Sequence, residues 1–303
     1  MEAKLSDDER KYSDAQLEGL PIKSMNLYKN SERLYNELKG FGVHDDLSNL
    51  TTELVCSIPS LYLNYCGNQG VEKALSMLEF DTAKQYSVVD IGCGYGGPAR
   101  SIVSKVGNVS IVGYDIQEDI VKIASKLSEQ TVGASKCKHV CKNFLHANIN
   151  NATVDIFVSW LTILHFTKNE RRALWEKVYS SLKPGGKMYV EDYFCTGPSN
   201  FSKREIDMLS NFVYCDGKTL PTENEYKQQI SSTGLVVKSF ENVSSEWTEF
   251  VKKRWKNWVA QKELLVQTHG ERVYNNLLVF YETVYVLFEY GNLQGCRVLI
   301  VKP

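Results

Sequence analysis

A dominant charge of either sign is missing from this chain. Thirty-five Lys and Arg stand against 36 Asp and Glu, a net charge of -1 at pH 7 over 303 residues. No basic field draws it to a polyanion, so nucleic acid is not an expected partner. No apolar run approaches the roughly 20 residues that a helix needs to cross a bilayer. The first eleven residues are charged and lack the apolar core of a secretory signal. Stable membrane insertion is therefore not expected, and a cytoplasmic protein is. The eight Cys, at 56, 66, 93, 137, 141, 195, 215 and 296, include no C-x-x-C pair. Cys137 and Cys141 have no second pair and only His139 and His146 nearby. No metal site is expected, and free thiols in a reducing compartment fit the pattern better. Internal repeats and low-complexity linkers are absent as well. What is present is 43% hydrophobic and 23% charged, ample for a packed core in one large domain or in one domain with a cap.

The stretch Val88-Val89-Asp90-Ile91-Gly92-Cys93-Gly94-Tyr95-Gly96-Gly97-Pro98 organises the rest. A strand that ends in Gly-x-Gly-x-Gly and feeds a helix is a mononucleotide-type loop. Glycines let a ligand lie close to the backbone, and the helix start presents free N–H groups. Two cofactor classes use such a loop. Dinucleotides place a pyrophosphate on the helix N-terminus. S-adenosylmethionine has no phosphate and carries an ammonium and a sulfonium, which an acid two residues before the first Gly suits; Asp90 sits there. Asp115 ends the next apolar run, where an acid is placed for ribose hydroxyls in either class. The bland alternative is a structural glycine turn in a plain α/β domain.

Around this loop the pattern alternates. Strands are expected at 87–90, 109–114, 138–141, 154–159 and 187–193, with helices at 99–106, 119–128 and 169–182 between them. Lys183-Pro184-Gly185-Gly186 is expected to break the last of these helices ahead of the fifth strand. Such alternation means a parallel sheet covered by helices on both faces, with ligands at the carboxyl ends of the strands. Asp90, Asp115, Asn143, Trp160, Asp192 and Tyr193 all fall at or just past such ends. Helices follow at 201–214 and 222–231, a sixth strand at 235–240, helices at 246–258 and 271–290, and a last strand at 296–301. Ahead of the core, 22–38 has helical spacing, and the patch 61–65 leads to a helix over 71–78. Tyr28, Tyr35, Tyr62 and Tyr65 read as packing residues ahead of catalytic ones.

Asp90-Ile91-Gly92-Cys93-Gly94-Tyr95-Gly96-Gly97 resembles the first motif of class I S-adenosylmethionine-dependent methyltransferases. Val154 to Trp160 and Leu182 to Asp192 resemble that family's fourth-strand and fifth-strand motifs, in order. Within the class the chain is most similar to small-molecule enzymes of the phosphoethanolamine, sarcosine/dimethylglycine and sterol methyltransferase group. The resemblance implies an α/β, Rossmann-like sheet of seven mostly parallel strands, a helical N-terminal segment over the cofactor mouth, and a helical lid before the last strand. The expected organisation is a mobile tail over 1–20 and one domain over 21–303. That domain comprises a cap over 21–80, a cofactor-binding core over 81–195 and a substrate-side half over 196–303, with the lid at about 244–290. A monomer or homodimer is expected.

The resemblance implies S-adenosylmethionine as cofactor and S-adenosylhomocysteine as its product. Gly92, Gly94 and Gly96 would line the methionine end, beside Asp90. Asp115 would take the ribose, with Ile116 beside the adenine. Asn143-Phe144 falls where the family usually has an acid facing the adenine amine, and an Asn still offers a carbonyl acceptor. Ser159 and Trp160 would open the substrate-facing wall.

Methyl transfer to an amine needs orientation, exclusion of water and a nucleophile without its proton. A base titrating near neutrality helps, and His fits best. Ser159 to His165 resembles the Ser…Ile-Leu-His segment of phosphoethanolamine methyltransferases, in which that His belongs to the catalytic centre. His165 is thus the candidate base or orienting group, with a loop cap as its structural alternative. The family's adjacent Asp is Leu161 here. His269 is the runner-up, and His44, His139 and His146 read as surface or packing residues. Tyr193 matches a substrate-contacting Tyr of that family. Tyr28, Tyr65, Asp192, Tyr214 and Trp247 are the further candidates for the acceptor. The family's phosphate-binding Arg has no counterpart in Tyr214 to Thr219, where Asp216 stands near its place; Lys218 or Arg297 could supply the charge. Lid aromatics, among them Trp255, Trp258, Tyr274, Tyr281 and Tyr285, can attract methylated ammonium groups, although most are expected to be core. Nitrogen is the expected acceptor atom; sterol or lipid carbon and a metabolite oxygen are the alternatives.

Overall fold

The computed structural model describes Met25, residues 31–44 and residues 49–303. Seven strands form one sheet: β1 Tyr86–Ile91, β2 Val109–Asp115, β3 Cys137–Cys141, β4 Val154–Trp160, β5 Leu182–Cys195, β6 Val236–Asn242 and β7 Leu293–Val301. Their order is β3-β2-β1-β4-β5-β7-β6. β1 to β5 run parallel, and β7 inserts antiparallel between β5 and β6. The chain winds outward from β1 in both directions, so the strand order reverses between β1 and β4. A ligand cleft belongs outside the strand ends at that point.

The central strands are buried on both faces, which is why 88–91 and 156–160 are apolar apart from Asp90 and Ser159. On one face, α3 Gly67–Leu78, α4 Gly97–Val106 and α5 Glu118–Thr131 pack with α1 Ser31–Gly40 and α2 Thr52–Ser57 around Leu61, Ile102 and Ile111. On the other, α6 Lys168–Ser181 and α8 Glu223–Ser231 cover Phe157, Trp175 and Tyr226. Both helices start on a capping box, Thr167 with Glu170 and Thr222 with Glu225. A third box, Ser202 with Glu205, starts α7 Lys203–Met208. The lid is α9 Ser244–Ala260, α10 Lys262–His269 and α11 Glu271–Glu289, with its own core around Trp247, Val251, Leu277 and Leu287.

Three expectations change in detail. The helix does end before Lys183-Pro184-Gly185-Gly186, at Ser181, but the fifth strand begins at Leu182 rather than 187 and runs through that stretch, where Gly185, at φ +74°, turns its N–H onto Lys302 O, 2.9 Å away. The helix expected over 201–214 loses its α form at Leu209, where a wide π turn, Leu209–Val213, carries the chain to Tyr214. The last strand begins at Leu293 rather than 296, since Leu293 to Gly295 already pair with Cys195 to Tyr193. The helices α2 and α10 were not anticipated. α2 has only six residues, and α10 holds one buried residue, His269, so neither carries a clear period.

Candidate active site

A cavity of about 520 Å3 opens at the carboxyl ends of β1, β2 and β4, roofed by Met25, Leu63 and the lid. Of the proposed cofactor residues, Gly92, Gly94, Asp115, Ile116, Asn143, Phe144 and Trp160 line it. Of the proposed acceptor residues, Tyr65, His165, Tyr193 and Tyr214 do.

The floor is the glycine loop. Gly92 has φ +74°, and a Cβ there would lie 2.0 Å from Thr162 Oγ1 of the loop after β4. A side chain at 92 would close the approach between the β1 and β4 ends. Asp115 ties the loop to β2: its Oδ2 accepts from Gly94 N at 2.9 Å and its Oδ1 from Gln117 N at 2.9 Å. Asn143 Oδ1 accepts from Leu145 N at 3.0 Å, and this cap sets Phe144 against Tyr114 and Phe157.

Asp90 stands immediately behind the cavity wall, 1% exposed, and neither of its carboxylate oxygens has a hydrogen-bond partner. Burial first, then the charge of Asp115, pushes its carboxyl up to about 8. A buried carboxylate without a partner is costly to ionise. A ligand that brings an ammonium beside the loop would remove that cost.

The acceptor side is built on loop geometry. After β4, Leu161 takes φ +51°, and the turn Ile163–His165 follows. Asp192, fully buried at the end of β5, holds this turn, its two oxygens each 3.1 Å from Leu164 N. His165 Nδ1 lies 3.1 Å from the carbonyl oxygen of Tyr214, itself at φ +56° after the π turn. A carbonyl only accepts, so Nδ1 carries the proton and Nε2 is left as an acceptor. Burial pushes the imidazole down to about 4, against the smaller opposing effect of the Tyr214 carbonyl. The ring is therefore neutral at pH 7, whereas the sequence reading expects a base titrating near neutrality. Beside it, the hydroxyls of Tyr65 and Tyr193 hydrogen-bond to each other, and burial holds both above the usual phenol range.

Several candidates stand behind the wall. Gly96 faces away: its Cβ position meets His139 and Arg100. Ser159 is fully buried and donates to Ile91 O at 3.0 Å, stitching β4 to β1. Asp192 faces backbone N–H groups rather than the cavity, which corrects the expectation that it meets a substrate cation. Trp247 is fully buried, packed on Tyr65, Tyr193 and Phe288, so it supports the acceptor wall without reaching it. His269 is buried in the lid, stacked on Trp258. Arg297 is locked in ion pairs with Glu191, Glu241 and Glu246 and does not line the cavity. Tyr28 lies outside the described residues. Among the described residues no cluster of His, Cys, Asp and Glu could hold a metal, and no helix is long and apolar enough to cross a membrane.

Sequence reasoning missed Thr162, Leu63 and Arg254 on the lining. Arg254 sits among other charged residues in the segment Lys252-Lys253-Arg254-Trp255-Lys256. No local pattern separates the one that turns inward.

Residues 88–186 match the family described as methyltransferase domain. The phosphoethanolamine N-methyltransferase of Plasmodium falciparum is 26% identical over 216 residues, 71% of this chain and 77% of that protein. The 24-methylenesterol C-methyltransferase 2 of Oryza sativa is 33% identical over 105 residues, 35% of this chain and 28% of that protein. A Haemonchus contortus phosphoethanolamine N-methyltransferase 2, solved with phosphomonomethylethanolamine and S-adenosylhomocysteine, superposes with a TM-score of 0.72 at 18% identity. That superposition covers 83% of this chain and 56% of the other. The chain also spans less than half the length of the Arabidopsis and maize phosphoethanolamine enzymes that it matches. With a glycine loop under Asp115 and a cleft at the β1/β4 reversal, the chain is a methyltransferase built on the Rossmann-like fold of the S-adenosylmethionine-dependent enzymes, its methyltransferase domain lying over residues 88–186.

Proposed function

We propose that this chain transfers a methyl group from S-adenosylmethionine to an amine nitrogen of a small molecule, with His165 orienting the acceptor. The cofactor supplies an activated methyl group on a sulfonium. Asp90, buried and without a partner, fits the ammonium of its methionine part. Asp115 at the end of β2 fits the ribose, and Ile116, Asn143 and Phe144 fit the adenine edge. The nitrogen lone pair attacks the methyl carbon on the face away from sulfur; the C–N bond forms as the C–S bond breaks, and the product nitrogen later gives up its proton to solvent.

The observation that carries the nitrogen reading is the neutral imidazole of His165 on the wall. With Nδ1–H tied to Tyr214 O, Nε2 can accept an amine N–H and so aim the lone pair. A group held at about 4 is a poor proton acceptor from an ammonium. The structure thus favours orientation over general-base work, and the apolar walls favour the uncharged amine. Carbon methylation of a lipid is the second reading, motivated by the apolar roof of Met25, Leu63, Leu164 and Phe280. A carbocation would need a carboxylate facing it. Of the three lining acids, Asp115 is tied to Gly94 N and Gln117 N on the cofactor side, Glu170 is committed to the Thr167 cap, and Asp216 to Lys218 N and Thr219 Oγ1. Nitrogen is the better fit.

The test is incubation with methyl-labelled S-adenosylmethionine and an acceptor panel: ethanolamine, its phosphate, glycine and its methylated forms, biogenic amines and sterols. Label on an amine nitrogen supports the reading. Label only in a sterol overturns it in favour of carbon transfer.

A further inference from the structure

Lys177 stands behind the cavity wall, on the side of the proposed adenine residues. It projects from α6, is half-buried and does not line the cavity. Its ammonium donates to Leu145 O at 3.0 Å and to Ala147 O. The same ammonium lies over the ring of Phe144, 5.3 Å from the ring centre. Burial first, then the charge of Lys142, pushes the amine down to about 8, so the cation is held where it is disfavoured. A lysine in mid-helix ordinarily runs its head out to water. No acid compensates here: the neighbouring Glu176 is paired with Arg172 at 2.9 Å, and Lys177 makes no ion pair among the described residues. The ammonium instead meets two carbonyls and a ring, all in one short turn.

That turn, Phe144–His146, carries part of the wall. Asn143 Oδ1 holds its start at Leu145 N. Its backbone bonds run from His146 N to Asn143 O and from Ala147 N to Phe144 O, which leaves the carbonyls of Leu145 and Ala147 to Lys177. Phe144 is 3% exposed and lines the cavity beside Ile116 and Asn143. Tyr114 and Phe157 meet its ring in T-shaped contacts, with centres 6.1 and 5.9 Å away. The Lys177 cation adds a restraint on the ring face. A tie between α6 and the loop would need only the carbonyls; the ring contact reaches the side chain that a ligand in the cavity would meet. A wall held in place before the ligand arrives removes an ordering cost from binding.

We infer that Lys177 is a positioning residue for the cofactor: from behind the wall it fixes the turn after Asn143 and the ring of Phe144, and so sets the affinity of the site for the adenosine half of the ligand. It touches no ligand and acts through Phe144. This rests on the reading that places the adenine at Ile116, Asn143 and Phe144.

The test is a double-mutant cycle on the full chain: wild type, Lys177→Met, Phe144→Leu and the two together, with Lys177→Arg as the conservative variant. Each is titrated calorimetrically with S-adenosylhomocysteine and with 5′-methylthioadenosine, which keeps the adenosine half and lacks the amino acid. Lys177→Met should weaken both ligands by the same factor, about tenfold. Lys177→Arg, which keeps the charge and the donors, should lose about threefold or less. In the Phe144→Leu background, Lys177→Met should cost no more than about threefold, because the ring it acts through is gone. Thermal unfolding without ligand shows that each variant folds. Should Lys177→Met not fold, Lys177→Gln, which can still donate to a carbonyl, replaces it in the cycle with the same non-additivity expected. Three results overturn the inference: Lys177→Met binds both ligands as the wild type does, its cost is the same with and without Phe144, or S-adenosylhomocysteine weakens while methylthioadenosine is unaffected or binds no variant at all. Failure of the wild type to bind S-adenosylhomocysteine would instead count against the methyl-transfer reading itself.

Discussion

Cofactor binding should be linked to a proton through Asp90. With its carboxyl pushed up to about 8, chiefly by burial, Asp90 is mostly protonated in the free protein at neutral pH. About one molecule in a hundred is ionised at pH 6 and about one in ten at pH 7. A ligand ammonium favours the ionised form. The apparent affinity is the intrinsic one scaled by that ionised fraction. The dissociation constant for S-adenosylhomocysteine should therefore fall about tenfold from pH 6 to 7 and about fivefold more from pH 7 to 8. Above about pH 8 the gain levels off as an α-amino group begins to lose its own proton. In the free protein the shift is opposite to that of an ordinary salt-bridged Asp, because burial without a partner raises the value; the linkage keeps the usual sign, since the arriving ammonium lowers it again and affinity rises with pH. Isothermal titration in two buffers of different ionisation heat should show nearly one proton released per ligand at pH 7. Asp192, held at about 7 by burial, titrates in the same window, but it faces the backbone of the loop after β4. Asp90→Asn separates the two: it should weaken binding and abolish the slope. A wild-type affinity that is flat from pH 6 to 8, with no proton released, would refute the reasoning.

Three further outcomes follow from the site and its support. His165→Ala should lower kcat about a hundredfold and leave the S-adenosylhomocysteine affinity unchanged, while His165→Gln, with a carbonyl acceptor, should retain more; steady-state kinetics with a binding titration checks both. With the ring held at about 4, its own ionisation should put no inflection in the rate profile between pH 6 and 8. Gly92→Ala should abolish cofactor binding, since its Cβ would sit 2.0 Å from Thr162 Oγ1 at φ +74°; adding Thr162→Ala should recover only part, as the strained dihedral remains. Trp247→Ala should cost about 3–5 kcal/mol in denaturant unfolding, because the ring fills the lid core against Tyr65, Tyr193 and Phe288 and covers Gly295.

The strands and the cleft were legible because they depend on local pattern. Apolar runs bounded by Gly and acids mark β1, β2 and β4, and strand ends mark Gly92, Asp115, Asn143 and Trp160 as neighbours in space. Side-chain direction was not legible. Gly96 and Gly92 belong to one motif, yet one faces the cavity and the other backs onto His139. Asp192 and Tyr193 are adjacent in β5 and so point to opposite faces, which is why one holds a loop and the other lines the wall. Titration was not legible either. His165 looks like an ordinary imidazole in sequence, and its low value comes from burial by residues distant in the chain. Arg254 was hidden for a related reason: which charge on a helix turns inward depends on the aromatic residues it meets, here Tyr65 and Tyr281 from outside α9.

The central claim is that one cavity holds the cofactor with its reactive end toward the acceptor wall. A crystal structure of the full chain with S-adenosylhomocysteine tests it most directly. The account predicts the ligand ammonium beside Asp90, the ribose at Asp115, the adenine against Ile116 and Phe144, and the sulfur facing His165 and Tyr193. A ligand bound elsewhere, or reversed so that its adenine meets His165, would contradict it.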